Sequence, residues 1–151
     1  MSGLIGLSSH DFEAGGTIPE RFSVDGGNAV PTLRWDGMPE KTAELAVLCE
    51  DPDTGVGTWV HWLVAGIDPS NHEIVGGALP AGAVQGINDF GECGYGGPQP
   101  VPGTGAHRYF FVLYALMSRT GLRQGFEADE LRRAVIGNEL ARGVLLGTFE
   151  R

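Results

Sequence analysis

Asp51-Pro52-Asp53-Thr54-Gly55-Val56-Gly57-Thr58-Trp59-Val60-His61-Trp62-Leu63-Val64-Ala65-Gly66-Ile67 passes from an acidic loop into a nearly continuous apolar run, and that passage predicts a mainly β protein. The run from Thr58 to Ile67 holds β-branched and aromatic residues, as a central strand buried on both faces would. A side-chain period of two places Trp59, His61, Leu63 and Ala65 on one face and Val60, Trp62 and Val64 on the other. Acids, indoles and an imidazole thus crowd between Asp51 and Trp62 without a basic residue among them. Polar groups flanked by apolar runs need partners from the protein or from a ligand, which makes this stretch the first candidate for a site.

Working outward, Thr42 to Glu50 sets Leu45, Val47 and Cys49 against Glu44, Ala46, Leu48 and Glu50, the pattern of a strand with one well-buried face. Arg108 to Met117 reads as a second central strand, with His107, Tyr109, Phe111 and Leu113 on one face and Arg108, Phe110, Val112 and Tyr114 on the other. Between these strands, Gly82 to Gly105 is a long Gly- and Pro-rich loop, of a length that is uncommon unless the loop lines a site. Asp129 to Leu146 offers Leu131, Ala134, Val135 and Asn138 at helical spacing behind acidic residues suited to a helix amino terminus. Gly137 and Gly143 weigh against a helix of that length, and Val144 to Phe149 reads as a closing strand. No repeat or linker divides the chain, so residues 1–151 are read as one all-β-leaning domain.

Composition narrows the function. A chain of 151 residues is long enough to bury roughly 70% of the surface its unfolded form exposes, so it needs no staples. The 25 Gly and 9 Pro predict tight turns and irregular loops rather than long helices. Tyr109 to Met117, the longest apolar run, is about half the ~20 residues of a membrane-spanning helix, so no transmembrane segment is expected. The amino terminus from Met1 to Leu7 has no Lys or Arg and soon meets His10-Asp11, unlike a secretory signal, and the protein is read as cytoplasmic. Cys49 and Cys93 match neither a CxxC motif nor a zinc site and are expected to be free thiols. A net charge of -9 opposes binding to phosphate backbones, so no nucleic-acid partner is expected. No Lys or Arg occurs between Lys41 and Arg108, and an anion held there must rely on His, hydroxyls and backbone N–H groups.

Several chemistries remain open for these residues. Asp51 and Asp53 point the same way in extended chain, where they can bind an ammonium group or share a proton, or they can satisfy the N–H groups of their own turn. His61 and His107 each open a strand beside a polar loop. Each can be a satisfied core histidine, or the two can converge with an Asp on a phosphate, a carboxylate or a proton-transfer centre. Two His and an Asp lack metal-ligand spacing, so neither a metal nor a cofactor is expected. His10 and His72 lie in polar stretches and read as surface residues, and Arg108 turns away from His107 to meet a carboxylate. No GxSxG elbow, P-loop or GxGxxG after a strand is present.

Asp51-Pro52-Asp53, Gly57 to Trp62, Asn88-Asp89-Phe90-Gly91, Tyr95-Gly96-Gly97-Pro98 and Gly103 to Tyr109, in that order, resemble the phosphatidylethanolamine-binding protein family, most of all its short bacterial, Raf-kinase-inhibitor-like branch. The likeness extends to Ile18-Pro19, Asp25-Gly26, Pro31 to Trp35 and Leu146 to Phe149. It implies a Greek-key β-sandwich of two antiparallel sheets with a few short helices. It also implies a small anion pocket on Asp51, Trp59, His61, Gly97, Pro98, His107 and Tyr109, with Asp53 beside them. Thr54-Gly55 replaces the family's usual Ala-Pro, Gln99 and Val101 space the rim prolines, and Asn138 stands where bacterial relatives often carry His.

Three functions are compatible with this reading. The first is a binding module for a small anionic or zwitterionic ligand, a phosphate, phosphorylated head group or carboxylate, with regulatory contacts to an unidentified protein partner. The second is a cofactor-independent enzyme of small-molecule metabolism in which Asp51, His61 and His107 move protons. The third is an interaction scaffold of kinase-inhibitor type with a vestigial pocket. The resemblance further implies a homodimer.

Overall fold

Apolar runs become the strands of two facing sheets in the computed structural model, which describes residues 3–151. Met1 and Ser2, the start of the segment weighed as a signal, lie outside the described residues. The strands are β1 (Gly3–Leu4), β2 (Gly6–Ser8), β3 (Leu33–Asp36), β4 (Glu44–Asp51), β5 (Trp59–Ile67), β6 (Glu73–Ile74), β7 (Val84–Gln85), β8 (His107–Leu116) and β9 (Glu139–Phe149). A 3-10 turn at Glu20–Phe22 and α1 (Ala128–Val135) complete the described elements. The larger sheet runs β1-β9-β8-β4-β5-β7 and the smaller β2-β3-β6. All these pairings are antiparallel save β1 with β9, a parallel edge that the expected antiparallel sandwich did not include.

The main core lies between the sheets. Leu7, Leu33, Trp35 and Ile74 of the smaller sheet meet Leu45, Val47, Cys49, Trp62, Phe111 and Leu113 of the larger. A second cluster covers the opposite face of the larger sheet, where Ala46, Leu48, Val60, Leu63 and Ala65 pack beneath Leu131 of α1 and Phe126 just before it. This third layer changes the reading of β4, which is buried on both faces and not on one. Cys49, buried in the main core, and the exposed Cys93 are both free thiols. No helix among the described residues is long and apolar enough to cross a membrane.

The helix stops earlier than the spacing of Leu131, Ala134, Val135 and Asn138 suggests. Glu127 and Glu130 form a reciprocal capping box at its start, and Gly137, with φ 72°, ends the turn beyond Val135. The chain then enters β9 at Glu139, five residues before the expected closing strand, because β8 offers a long ladder, from His107 opposite Phe149 to Leu116 opposite Glu139, broken by one register shift after Ala115. Local helical spacing yields to that long-range pairing.

β5 departs most from simple alternation. Trp62 lies opposite Cys49 and Val60 opposite Glu50, so His61 has no opposite residue and forms a β-bulge. The extra residue lets Trp59, His61 and Trp62 all serve the face that looks between the sheets, while Val60, Leu63 and Ala65 serve the helix face. The strict two-face assignment therefore holds for Trp59, Val60 and His61 and is inverted from Trp62 on, at Trp62, Leu63, Val64 and Ala65. Nor is β5 flanked by full strands on both sides, since β7 pairs only with Val64 and Ala65. The 82–105 segment supplies the remaining partners: Asp89 N–H donates to the Val60 carbonyl at 2.9 Å, Gly96 N–H to the His61 carbonyl at 2.9 Å, and Gly86 N–H to the Leu63 carbonyl at 3.0 Å.

A second irregularity at Gly66, φ 73°, is held by a buried carboxylate. Glu44 accepts from Gly66 N–H at 3.0 Å, Thr120 N–H at 3.0 Å and Thr120 Oγ1 at 2.8 Å, tying β5 to the loop after β8. Its removal strands two backbone donors. Glu44→Ala is expected to lower the unfolding free energy by about 2–4 kcal/mol in urea titrations. Glu73→Ala, at an exposed ion pair with Arg34, should change it by less than about 1 kcal/mol.

Candidate ligand site

The end of β4, the bulge of β5 and the start of β8 come together at one edge of the sandwich around a cavity of about 280 Å³. Asp51, Trp59, His61, His107 and Tyr109 line it, joined by Thr54, Val56, Phe90, Gln99, Pro100 and Val101. Five of the expected site residues thus meet. Phe90 stands edge-on to Trp59, with centroids 5.6 Å apart, and to His61 at 5.4 Å, while Tyr109 stands edge-on to His61 at 5.2 Å.

Asp51 and Asp53 do not act together. Asp51 is buried and accepts from His107 Nδ1 at 2.7 Å with one oxygen and from Asp53 N–H at 2.7 Å with the other. That second bond turns the chain, so Asp53 faces outward and grips Arg108 through its backbone N–H at 2.8 Å, its Nε at 2.9 Å and its Nη2 at 2.8 Å. Consecutive β8 residues on opposite faces are each held by one acid. Asp53 is therefore part of an ion pair outside the cavity, and the reading of a shared-proton or shared-ligand carboxylate pair fails for this geometric reason. The Arg108 guanidinium, as hydrogen-bond partner and charge, lowers the Asp53 carboxyl from 3.8 to about 2.

His107 is occupied on both sides of its ring. Thr104 Oγ1 lies 2.6 Å from the Val101 carbonyl and 3.0 Å from His107 Nε2. With Nδ1 2.7 Å from Asp51 Oδ2, both ring nitrogens have protein partners in a buried His–Asp–Thr chain. His61 differs. Its Nδ1 lies 2.7 Å from the Gly96 carbonyl and Nε2 has no protein partner. Burial, the largest influence, lowers the His61 pKa below 6.5, against the raising effects of the Gly96 and Gly97 carbonyls and of Asp51 and Asp89.

Two donors at the cavity are left over. Among the described residues, Trp59 Nε1 and Tyr109 Oη are the buried side-chain polar atoms without a hydrogen-bond partner. Burial and then the Asp51 charge raise the Tyr109 pKa far above the ordinary value of 10, so the phenol keeps its proton. The Asp51 carboxylate raises that pKa both by its charge and as a nearby hydrogen-bond acceptor, although the contact falls short of full hydrogen-bond geometry.

Gly97 and Pro98 stand behind the wall and not in it. A Cβ on Gly97 would fall 1.9 Å from the Phe22 carbonyl oxygen, so glycine is needed there for close packing, and the Pro98 carbonyl accepts from Val24 N–H at 3.0 Å. The next residues, Gln99, Pro100 and Val101, form the wall instead. Phe90 and Thr104 were missed as site residues, although both fall in the motifs that carry the family resemblance. Asn88 displays Phe90 by accepting from Phe90 N–H at 2.9 Å and Glu92 N–H at 3.1 Å. Asn138 bonds Ser118 at the far end of β8, away from the cavity. His10 and His72 are exposed, as expected.

The model of the phosphatidylethanolamine-binding protein family matches residues 8–150. A UPF0098 protein of Methanothermobacter thermautotrophicus is 40% identical over 150 residues, spanning 96% of this chain and 98% of the relative. Among solved structures, E. coli YbcL, described as a member of the mammalian PEBP family, superposes with a TM-score of 0.92 at 29% identity over 97% of this chain and 98% of its own. The Chlamydia trachomatis PEBP homologue CT736 superposes with a TM-score of 0.89 at 32% identity over 99% of each chain.

The outward ion pair has a pH signature. Because the Asp53 pKa is lowered on folding, its contribution is fully present above 3.8 and is lost as pH falls through about 2. Asp53→Asn should be slightly less stable than wild type at neutral pH, by about 1 kcal/mol or less at this exposed pair. The gap in melting temperature should close as pH falls across that window, and a gap independent of pH would contradict the ion-pair account.

Proposed function

This chain belongs to the phosphatidylethanolamine-binding protein family, and on that footing we propose that its cavity binds a small oxygen-bearing anion: a phosphate, a phosphorylated head group or a carboxylate. The observation that carries this reading is the pair of buried donors, Trp59 Nε1 and Tyr109 Oη, left without acceptors beside an open cavity. Each such group costs about 1–3 kcal/mol while unsatisfied, and a ligand oxygen relieves that cost. A pocket retained only as a remnant has no need to keep two buried donors without protein acceptors. Binding is also favoured over acid–base catalysis by the Asp51–His107–Thr104 chain. Both His107 nitrogens are spent on the protein, which leaves His61 alone to exchange a proton with a ligand.

The affinity is modest on this reading, because no Lys or Arg lines the cavity. Arg108 and Arg151 are committed to Asp53 and Asp25. Neutral donors then do most of the holding, and Val56, Phe90, Pro100 and Val101 offer apolar surface to the rest of the ligand.

Phosphate, phosphoethanolamine or acetate at millimolar concentration should raise the melting temperature, since a ligand that binds only the folded state stabilises it. Tyr109→Phe removes one donor with little change of volume and Trp59→Phe removes the other together with part of the cavity wall, and each should weaken binding about ten-fold or more. The absence of any shift in wild type with all three compounds would sink this reading.

A further inference from the structure

A second cavity, of about 270 Å³, opens at the other end of the larger sheet, where β4 begins, β5 ends and the loop after β8 turns back. Glu44, Asp68, Arg119 and Thr120 line it together with the apolar Ile67 and Leu122. It shares no residue with the cavity between Asp51 and Tyr109.

The Glu44 carboxylate sits between two other lining residues. Its Oε2 accepts from Gly66 N–H at 3.0 Å and from Thr120 Oγ1 at 2.8 Å, and its Oε1 accepts from Thr120 N–H at 3.0 Å. A carboxylate has about four lone-pair sites, so three bonds leave one acceptor site open, on Oε1. The residue is only 5% exposed, and among the described residues no cationic side chain pairs with it. The three bonds account for its part in joining β5 to the loop, but every donor in them is neutral. A buried negative charge without a cation is costly, and that cost falls when a cation reaches it.

The opposite charge stands at the same cavity. Arg119 is exposed and, among the described residues, holds no carboxylate, whereas Arg108, Arg132, Arg142 and Arg151 each do. Asp68 does not take it up. The Ser70 N–H and hydroxyl, and then the Arg119 charge, hold the Asp68 carboxyl below its ordinary value, yet the hydrogen bond it makes is to Ser70 N–H at 2.9 Å. The cavity therefore offers a buried anion lacking a cation and a guanidinium lacking an anion.

That pairing excludes simpler occupants. A lone carboxylate or phosphate would meet Arg119 but face the charges of Glu44 and Asp68. A metal ion requires several oxygen or nitrogen ligands, and among the described residues no group of three His, Cys, Asp or Glu is placed to hold one. A simple amine would satisfy Glu44 and leave the guanidinium unused. A molecule with an ammonium and a carboxylate on one carbon serves both.

We propose that this cavity is a second binding site, for a free aliphatic α-amino acid, with the ammonium donating to Glu44 Oε1 and the carboxylate accepting from the Arg119 guanidinium. The fork of a guanidinium suits a carboxylate through two parallel N–H donors, and the long Arg119 side chain closes over the ligand from the solvent side. The ligand's side chain lies against Ile67 and Leu122. An amino acid inside a peptide lacks both charges and does not fit this description.

Amide proton–nitrogen correlation spectra of the isotope-labelled chain test this, because the two cavities report separately. The amide signals of Gly66 and Thr120 read this cavity, and the indole N–H of Trp59 reads the other. L-Leucine at millimolar concentration should move the Gly66 and Thr120 signals. Isoamylamine, which is leucine without its carboxylate, and isocaproate, which is leucine without its ammonium, should each bind there about ten-fold or more weakly.

Arg119→Gln alters an exposed side chain without an ion pair and should lower leucine affinity to that of isoamylamine. Glu44→Gln should abolish the response to both. If that variant does not fold, the wild-type series and Arg119→Gln decide alone. Gly66 and Thr120 signals that stay in place with leucine would overturn the proposal, as would a leucine response confined to Trp59. Equal binding of isoamylamine or isocaproate at these signals, or unchanged leucine affinity in Arg119→Gln, would overturn it as well. None of these results touches the anion-binding reading, which the Trp59 signal tests with phosphate in the same spectra.

Discussion

The 2.7 Å contact between His107 Nδ1 and Asp51 Oδ2 is the constraint on which the site depends. It joins the last residue of β4 to the first of β8, both side chains being buried, so breaking it leaves a charge inside the protein without its partner. Because Asp51 also accepts from Asp53 N–H, the same carboxylate turns the acidic loop outward and places Asp53 on Arg108. One acid holds a β8 residue from inside the sheet and the other holds its neighbour from outside. Together they set the mouth of the cavity. They also use up most of its ionic character, so what remains for a ligand is a set of neutral donors and one acceptor.

That acceptor is produced by an irregular strand and an irregular loop acting together. The bulge places His61 on the cavity face without displacing Trp62 from the core, where Trp62 Nε1 donates to Gln85 Oε1 at 2.8 Å. The 86–96 segment then runs along the outer side of β5 as a substitute strand. Gly96 donates to the His61 carbonyl and accepts from its Nδ1, so the backbone that completes the sheet also selects the tautomer of the ring. Loop length here reflects a backbone that must satisfy β5 and line the cavity at once.

The amount of this that could be read from the chain varied with the range of the interaction responsible. β4, β5 and β8 were legible because burial in a sheet leaves continuous or alternating apolar runs. Tyr109 and His107 shared a face as alternation required, since β8 pairs with β4 without interruption. Alternation misplaced Trp62 because a bulge is defined by the partner strand's register, which no local pattern records. The helix was placed too long and β9 too short for a similar reason, as the ladder with β8 overrode the spacing of Asn138.

Among the site residues, Asp51, Trp59, His61, His107 and Tyr109 were identifiable from residue type, strand position and ordered motifs. The sequence alone determined which elements form and which polar side chains need partners, because apolar patterning and the cost of burying polar groups act at the level of the residue. The tertiary structure alone decided how those partners were shared: Asp53 to Arg108, both nitrogens of His107 to the protein, and Gly97 to packing against Phe22. Most of those choices are made by contacts between residues more than fifty positions apart, whose geometry exists only once the sheets have closed.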